Sequence, residues 1–307
     1  MLTQSQCLPC FMDDISQAAE LLIEDASRRS EVLRLCLRQL SLTFDFLQPP
    51  SYHITALHRC LKEALGLDIP FCERRKWLNE MGMEVAREIR HEAKQLEDYP
   101  RFRHLAVWAL AANSLDSRTA GTGYAFDPRK VKDYLSSYLE KGLALDELRL
   151  LFQRIPKAER ILYLHDNVGE LALDAALIEE IRKSSSGPVI SALRGGAITS
   201  DATYEDGLAV GLQTISDQMI IAGPDTLGIS LLEMSPELSA ELRRADLVLA
   251  KGQANFYVLS EYSDQVKGDI FCLFSTKCDP VATQFGLRGR HLLAVFLPRK
   301  GSGNVRN

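Results

Sequence analysis

An aspartate and an asparagine stand side by side at Asp166 and Asn167, just after the apolar run Ile161-Leu162-Tyr163-Leu164 and His165. Gly169 and Glu170 follow, and from Leu171 the apolar positions recur at helical spacing. A short buried strand that runs into a polar turn and then a helix sets those polar residues at its carboxyl end, where open α/β sheets bind ligands. Carboxylate and carboxamide oxygens are hard ligands of the kind Mg²⁺ and Mn²⁺ take. The plain alternative is that Asp166 or Asn167 caps the helix that follows.

The same grammar repeats along the chain. Apolar runs at Val189–Leu193, Met219–Ala222, Leu247–Ala250, Ile270–Phe274 and Leu292–Leu297 alternate with helical stretches. Such alternation predicts a largely parallel sheet covered on both faces. The second run ends in Arg194-Gly195-Gly196, with Thr199 and Asp201 just beyond, and the third in Gly223-Pro224-Asp225. The fourth ends in Lys251-Gly252-Gln253-Ala254-Asn255, and the fifth in Ser275-Thr276-Lys277-Cys278. On one sheet edge these ends gather Asp166, Asn167 and Asp201 as oxygen ligands, with Arg194, Lys251 and Lys277 as cations. Gly195, Gly196 and Gly252 add exposed backbone N–H groups. A hard cation with Lys, Arg and backbone donors suits a phosphoryl group, whose charge they offset. Taken singly, Lys251 reads as a surface lysine, Asp201 as a helix N-cap and Arg194 as a rim charge. Their convergence on one edge favours a shared site.

Upstream the pattern is helical. Residues 13–115 carry apolar positions at helical spacing, broken at Pro49-Pro50, Pro70 and Pro100, and residues 127–158 predict two more helices. The predicted fold is α/β: a helical N-terminal region, 1–157, packed on a three-layer α/β/α, Rossmann-like domain, 158–307, with a mostly parallel sheet. Asn113 and Asp116 follow the last N-terminal helix, where they either cap it or reach into a site at the domain interface. The Gly121–Phe126 loop lacks the strand and the Lys-Ser/Thr of a P-loop.

The chain has 307 residues, 46% of them hydrophobic and 25% charged, with a net charge of −5, which places it among globular proteins. No Lys/Arg block stands clear of acidic neighbours, so nothing supports a nucleic-acid partner. No apolar run approaches membrane-spanning length, and the first residues lack the pattern of a signal peptide. These features predict an intracellular, cytoplasmic protein without a membrane partner. Seven cysteines and no secretion signal argue against a disulfide framework. Cys7-Leu8-Pro9-Cys10 is open to three uses: half a zinc site, a redox pair, or packing.

DNVGE at Asp166–Glu170, LRGGAITSDAT at Leu193–Thr203, KGQANF at Lys251–Phe256 and AANSLD at Ala111–Asp116 resemble the signature blocks of the damage-control phosphatases, long called domain of unknown function 89. The blocks occur in matching order over nearly the whole chain, and the CxxC is similar to the family's short prokaryotic and archaeal branch. The resemblance implies a divalent metal (Mn²⁺, Co²⁺, Ni²⁺ or Mg²⁺) held by Asp166, Asn167 and Asp201. It implies that Lys251 contacts substrate phosphate and that Glu170, Asn113 and Asp116 lie near the substrate pocket. Arg194, Gly195, Gly196, Gly252 and Asn255 join them as substrate-binding candidates. The implied reaction is hydrolysis of a small phosphorylated metabolite, a sugar phosphate or a damaged phosphometabolite. Attack by water is favoured over an aspartyl-phosphate at Asp166, because a metal-ligated carboxylate is a poorer nucleophile. Ala197 and Ser200 stand where the family often has Pro and Asn, and Tyr257 where an acid is usual, which bears on substrate preference. Two other classes compete. A carboxyl methyltransferase would want a glycine-rich first turn and an acid at the second strand's end, where this chain has Arg194. A non-catalytic phosphometabolite-binding module has only Tyr257 in its favour.

Overall fold

The computed structural model describes residues 1–113 and 131–298, so Asp116 and the Gly121–Phe126 loop lie outside the described residues. The chain opens with α1 (Cys7–Leu22), α2 (Ala26–Thr43), α3 (Pro50–Leu65), α4 (Cys72–Ala93) and α5 (Asp98–Ala112). Their ends follow local chemistry. Asp25 caps α2 by accepting the Arg28 backbone N–H at 2.6 Å. Pro50 starts α3, and Gly66, in the left-handed region, closes it. The two helices predicted over 127–158 fall at α6 (Val131–Glu140) and α7 (Leu148–Arg154). Between them lies a strand that the pattern does not predict, β1 (Leu143–Asp146). It is alternately half-buried and exposed, so no apolar run marks it.

The predicted strands follow: β2 (Ile161–Leu164), β3 (Val189–Leu193), β4 (Gln218–Ile221), β5 (Leu247–Lys251), β6 (Asp269–Ser275) and β7 (Leu292–Phe296). Between them run α8 (Leu171–Ser184), α9 (Tyr204–Ala209), α10 (Pro236–Arg244) and α11 (Gly252–Glu261). The sheet order is β1-β7-β6-β5-β2-β3-β4, and neighbours are parallel except β6 and β7. From β2 the chain winds outward through β3 to β4, then returns to the other side of β2 with β5 and β6. The winding therefore reverses between β2 and β5, which is where doubly wound sheets open a ligand crevice.

Side chains alternate across the sheet. Ile161, Tyr163, Leu247, Leu249 and Phe271 share one buried cluster with α4, α5, α7 and α8. Leu162, Leu164, Val248, Ala250 and Cys272 share the other with α1, α2, α3, α10 and α11. The N-terminal helices thus supply material to both layers. Each fully buried Leu or Ile contributes roughly 1.5–3 kcal/mol, which makes these two layers the main source of stability. Among the described residues no helix is long and apolar enough to cross a membrane, and the seven cysteines are free thiols.

Gly82 on α4 lies against the turn after β2. A Cβ there would stand 2.2 Å from the Gly169 carbonyl oxygen. In an exposed helix Gly→Ala gains about 1 kcal/mol, but a backbone carbonyl cannot rotate out of the way. We therefore expect Gly82→Ala to lower stability by about 1–3 kcal/mol, measured as a fall in the urea midpoint with an unchanged slope. A rise in the midpoint would mean that α4 can slide off the turn.

Candidate active site

The end of β2 is zipped to a segment of the β3–α9 connection. The Asp166 carbonyl accepts from Ala202 N–H at 2.8 Å, and Val168 N–H donates to the Ser200 carbonyl at 2.8 Å. Asn167 and Asp201 face each other across this short antiparallel bridge. Backbone pairing therefore brings together the three oxygen ligands predicted from two separate strand ends. The Asn167 side-chain oxygen accepts from the Ser200 hydroxyl at 2.8 Å. Asp201 accepts from Gly228 N–H and the Thr199 hydroxyl, each at 2.8 Å. From β5, Gly252 arrives at φ +79°, so close that a Cβ would fall 1.8 Å from the Asp166 carboxylate. Only glycine allows that approach.

Behind these residues lies a buried ionic network. Lys251 ends β5 on the side of Leu247 and Leu249, facing α5 and α8. Its ammonium donates to Glu170 at 2.6 Å, to Asp174 at 2.7 Å and to the Ala109 carbonyl at 2.8 Å. Glu170 and Asp174 sit one turn apart at the start of α8, so both carboxylates lie on one helix face. Burial alone would strip charge from Lys251 and from Asp174. Their mutual attraction, with Glu170, outweighs it and keeps the lysine protonated and Asp174 ionised. Asp174 also accepts from the Tyr163 hydroxyl at 2.8 Å and bonds His165 Nδ1 at 3.1 Å. His165 Nε2 lies 3.0 Å from the Ser191 hydroxyl. Burial pushes the His165 ring below its ordinary range, against the pull of Asp174, so it is neutral at pH 7. All three ammonium protons of Lys251 have acceptors. In this arrangement Lys251 is the counter-ion of Glu170 and Asp174.

The helices hold the site from outside. Asn113, at the end of α5, donates to Asp166 at 2.9 Å and to Glu170 at 2.8 Å, and accepts from Ser275 N–H at 3.0 Å. Its side chain reaches into the site. Asn167 likewise donates to Asp166 at 2.7 Å and Glu170 at 2.9 Å. From α4, Asn79 accepts the Gly169 N–H, and Arg75 donates to the Thr199 carbonyl and to Asp206. From α3, Lys62 donates to the Ala197 carbonyl and Asp225, and Thr55 accepts from Leu227 N–H.

The other predicted residues serve mainly as ties. Buried Arg194 donates to the Thr226 carbonyl at 3.2 Å and lies 3.5 Å from Asp201, while its Nη1 has no hydrogen-bond partner. Asn255 accepts from Ile229 N–H and donates to the His165 and Lys251 carbonyls. The Gly195 N–H goes to the Gly223 carbonyl and not to the site, and Gly196 packs on Asp225. Asp174, His165, Tyr163 and Asn79 belong to the site without having been predicted. Only Asp174 carries a signal, a single acid inside the apolar helical stretch LALDAALI.

Among the described residues no three His, Cys, Asp or Glu side chains converge as metal ligands, and the predicted set of Asp166, Asn167 and Asp201 has a carboxamide as its third member. The donor chemistry, carboxylate and carboxamide oxygens, fits a hard cation there. Among the described residues, Asp166, Glu170, Asp174 and Asp201 are at most 3% exposed, and Lys251 and Arg194 are buried beside them.

Residues 3–292 match the family model of the damage-control phosphatase ARMT1-like domain. A damage-control phosphatase of Pyrococcus horikoshii is 31% identical over 92% of this chain and 94% of its own. One from Archaeoglobus fulgidus is 28% identical over 94% of this chain and 96% of its own. The crystal structure of a domain-of-unknown-function-89 protein from P. horikoshii superposes with a TM-score of 0.83 at 31% identity, covering 96% of this chain and 99% of that one.

Removing the Lys251 charge leaves two carboxylates buried. We expect Lys251→Met to cost about 3–5 kcal/mol. Lys62→Met, at a partly exposed pair, should cost about 1 kcal/mol or less. Urea melts of the two variants compare them, and equal losses would deny Lys251 its counter-ion role.

Proposed function

We propose a phosphatase function for this chain, which belongs to the damage-control phosphatase ARMT1-like family. In this proposal it hydrolyses phosphomonoesters of small metabolites, sugar phosphates or damaged phosphometabolites, at the crevice between β2 and β5. A divalent cation, one of Mn²⁺, Co²⁺, Ni²⁺ or Mg²⁺, is held by Asp166, Asn167 and Asp201. The observation that supports the proposal is the backbone bridge that sets buried Asn167 and Asp201 face to face beside Asp166, a set of hard oxygen donors. A bound cation supplies positive charge against the phosphoryl oxygens as they develop charge.

The chain's own residues do the rest. Ser200 turns the Asn167 carboxamide so that its amide group serves Asp166 and Glu170. Thr199 and Gly228 fix both oxygens of Asp201. Asn113 holds Asp166 and Glu170 in one frame. Arg194 and Lys251 add fixed positive charge in a water-poor setting, where it acts strongly on an anion. The binding-module alternative rested on Tyr257. Its ring packs in the cluster on the α1–α3 side, and its hydroxyl accepts from Gln253 at 2.6 Å, so it makes no bond to the site carboxylates.

The test is phosphate release from a panel of sugar phosphates and an aryl phosphate, with EDTA or with each of the four cations. Turnover should require the cation and fall at least about a hundredfold in Asp201→Asn, with the melting temperature retained. Turnover that persists in EDTA, or in Asp201→Asn, would remove the assignment.

A further inference from the structure

One ammonium needs one carboxylate, yet Lys251 has two. Glu170 lies at 2.6 Å and Asp174 at 2.7 Å, with the Ala109 carbonyl completing the three acceptors. All three side chains are fully buried. An amide at position 174 would satisfy the same donors at the same size. A second buried carboxylate is costly unless positive charge answers it from elsewhere. Among the described residues, Arg194 pairs with Asp201 and not with Asp174. Nor does Asp174 bond to Asp166, Asn167 or Asp201: its partners are Lys251, Tyr163 and His165.

We propose that Asp174 sets the affinity of the Asp166–Asn167–Asp201 site for a divalent cation by its charge, without touching that cation. The proposal rests on the cation-dependent function put forward above. Asp174 is the second of two buried carboxylates on one ammonium, and a buried medium carries its charge across the Lys251–Glu170 pair with little screening. Partners beyond the direct ligands commonly change metal affinity 10- to 100-fold. Asp174 differs from the usual case in acting through net charge and not by orienting a ligand.

Asp174→Asn isolates charge from shape. The Asn oxygen can still accept from Lys251 and Tyr163. Its amide can donate to His165 Nδ1 while the ring's other nitrogen donates to Ser191, because the neutral imidazole exchanges tautomers. The measurement is a calorimetric Mn²⁺ titration without substrate, on wild type, Asp174→Asn and the double variant Asp174→Asn/Lys251→Met. The single variant should bind Mn²⁺ at least about tenfold more weakly. The double variant restores the original net charge and should return to within about threefold of wild type. Wild-type affinity in folded Asp174→Asn would overturn the proposal. So would a double variant weakened tenfold, since that outcome assigns the effect to geometry. Where the single variant does not fold, the double variant, which removes a buried pair together, decides alone. If wild type binds no Mn²⁺, the proposed function fails and this inference with it, an outcome distinct from binding that ignores residue 174.

Discussion

The buried ammonium of Lys251 is the contact on which the rest of this site depends. It ends a central strand and bonds at once to the last turns of α5 and the first turn of α8. Three elements distant in sequence are thereby fixed to one atom. Glu170, gripped from one side by Lys251, offers its other oxygen to Asn113 and Asn167, and both amides also serve Asp166. The position of Asp166 is thus inherited from the lysine through a chain of three hydrogen bonds. Ion pairs of this kind add little net stability, but losing one partner is expensive. The network therefore works as a constraint on geometry.

A sheet edge built of loops leaves many backbone groups in want of partners. Here the partners come from helices. Asn79, Arg75, Thr55 and Lys62 each take a backbone group of the loops that carry Gly169, Thr199, Leu227 and Ala197. Arg59 and Lys62 meet at Asp225, so α3 grips both loops that flank Asp201. Water could have satisfied the same groups, but it would have left the loops mobile. The N-terminal helices are therefore walls of the site, which explains why they are distributed over both faces of the sheet.

This arrangement decides what could be foreseen. Asp166, Asn167 and Asp201 were legible because a four- or five-residue apolar run fixes where a strand ends, and parallel winding fixes which edge its end joins. The sequence placed Lys251 on that edge as well. The strand's alternation puts it on the face of Leu249, but which helix covers that face is a tertiary fact, so its saturation by Glu170 and Asp174 was hidden. Asn79 and Arg75 gave no signal, since their partners lie 90 and 131 positions away. β1 was missed for the opposite reason: at the sheet's edge it buries too little to need an apolar run.

On the proposed function, the gathering of buried carboxylates has a second consequence. Carboxylates that draw a divalent ion repel one another when it is gone, so the site opposes the fold that assembles it. A ligand that binds only the folded chain returns stability by mass action, about 2.7 kcal/mol at a hundred times its dissociation constant. That is a large share of the 5–15 kcal/mol typical of a folded domain. Sequences selected for stability alone would replace Asp174 or Glu170 by neutral residues, since one carboxylate suffices to hold Lys251. Retaining both makes physical sense only if charge at this crevice is worth more than the stability it costs, which is the signature of a site shaped by what it binds.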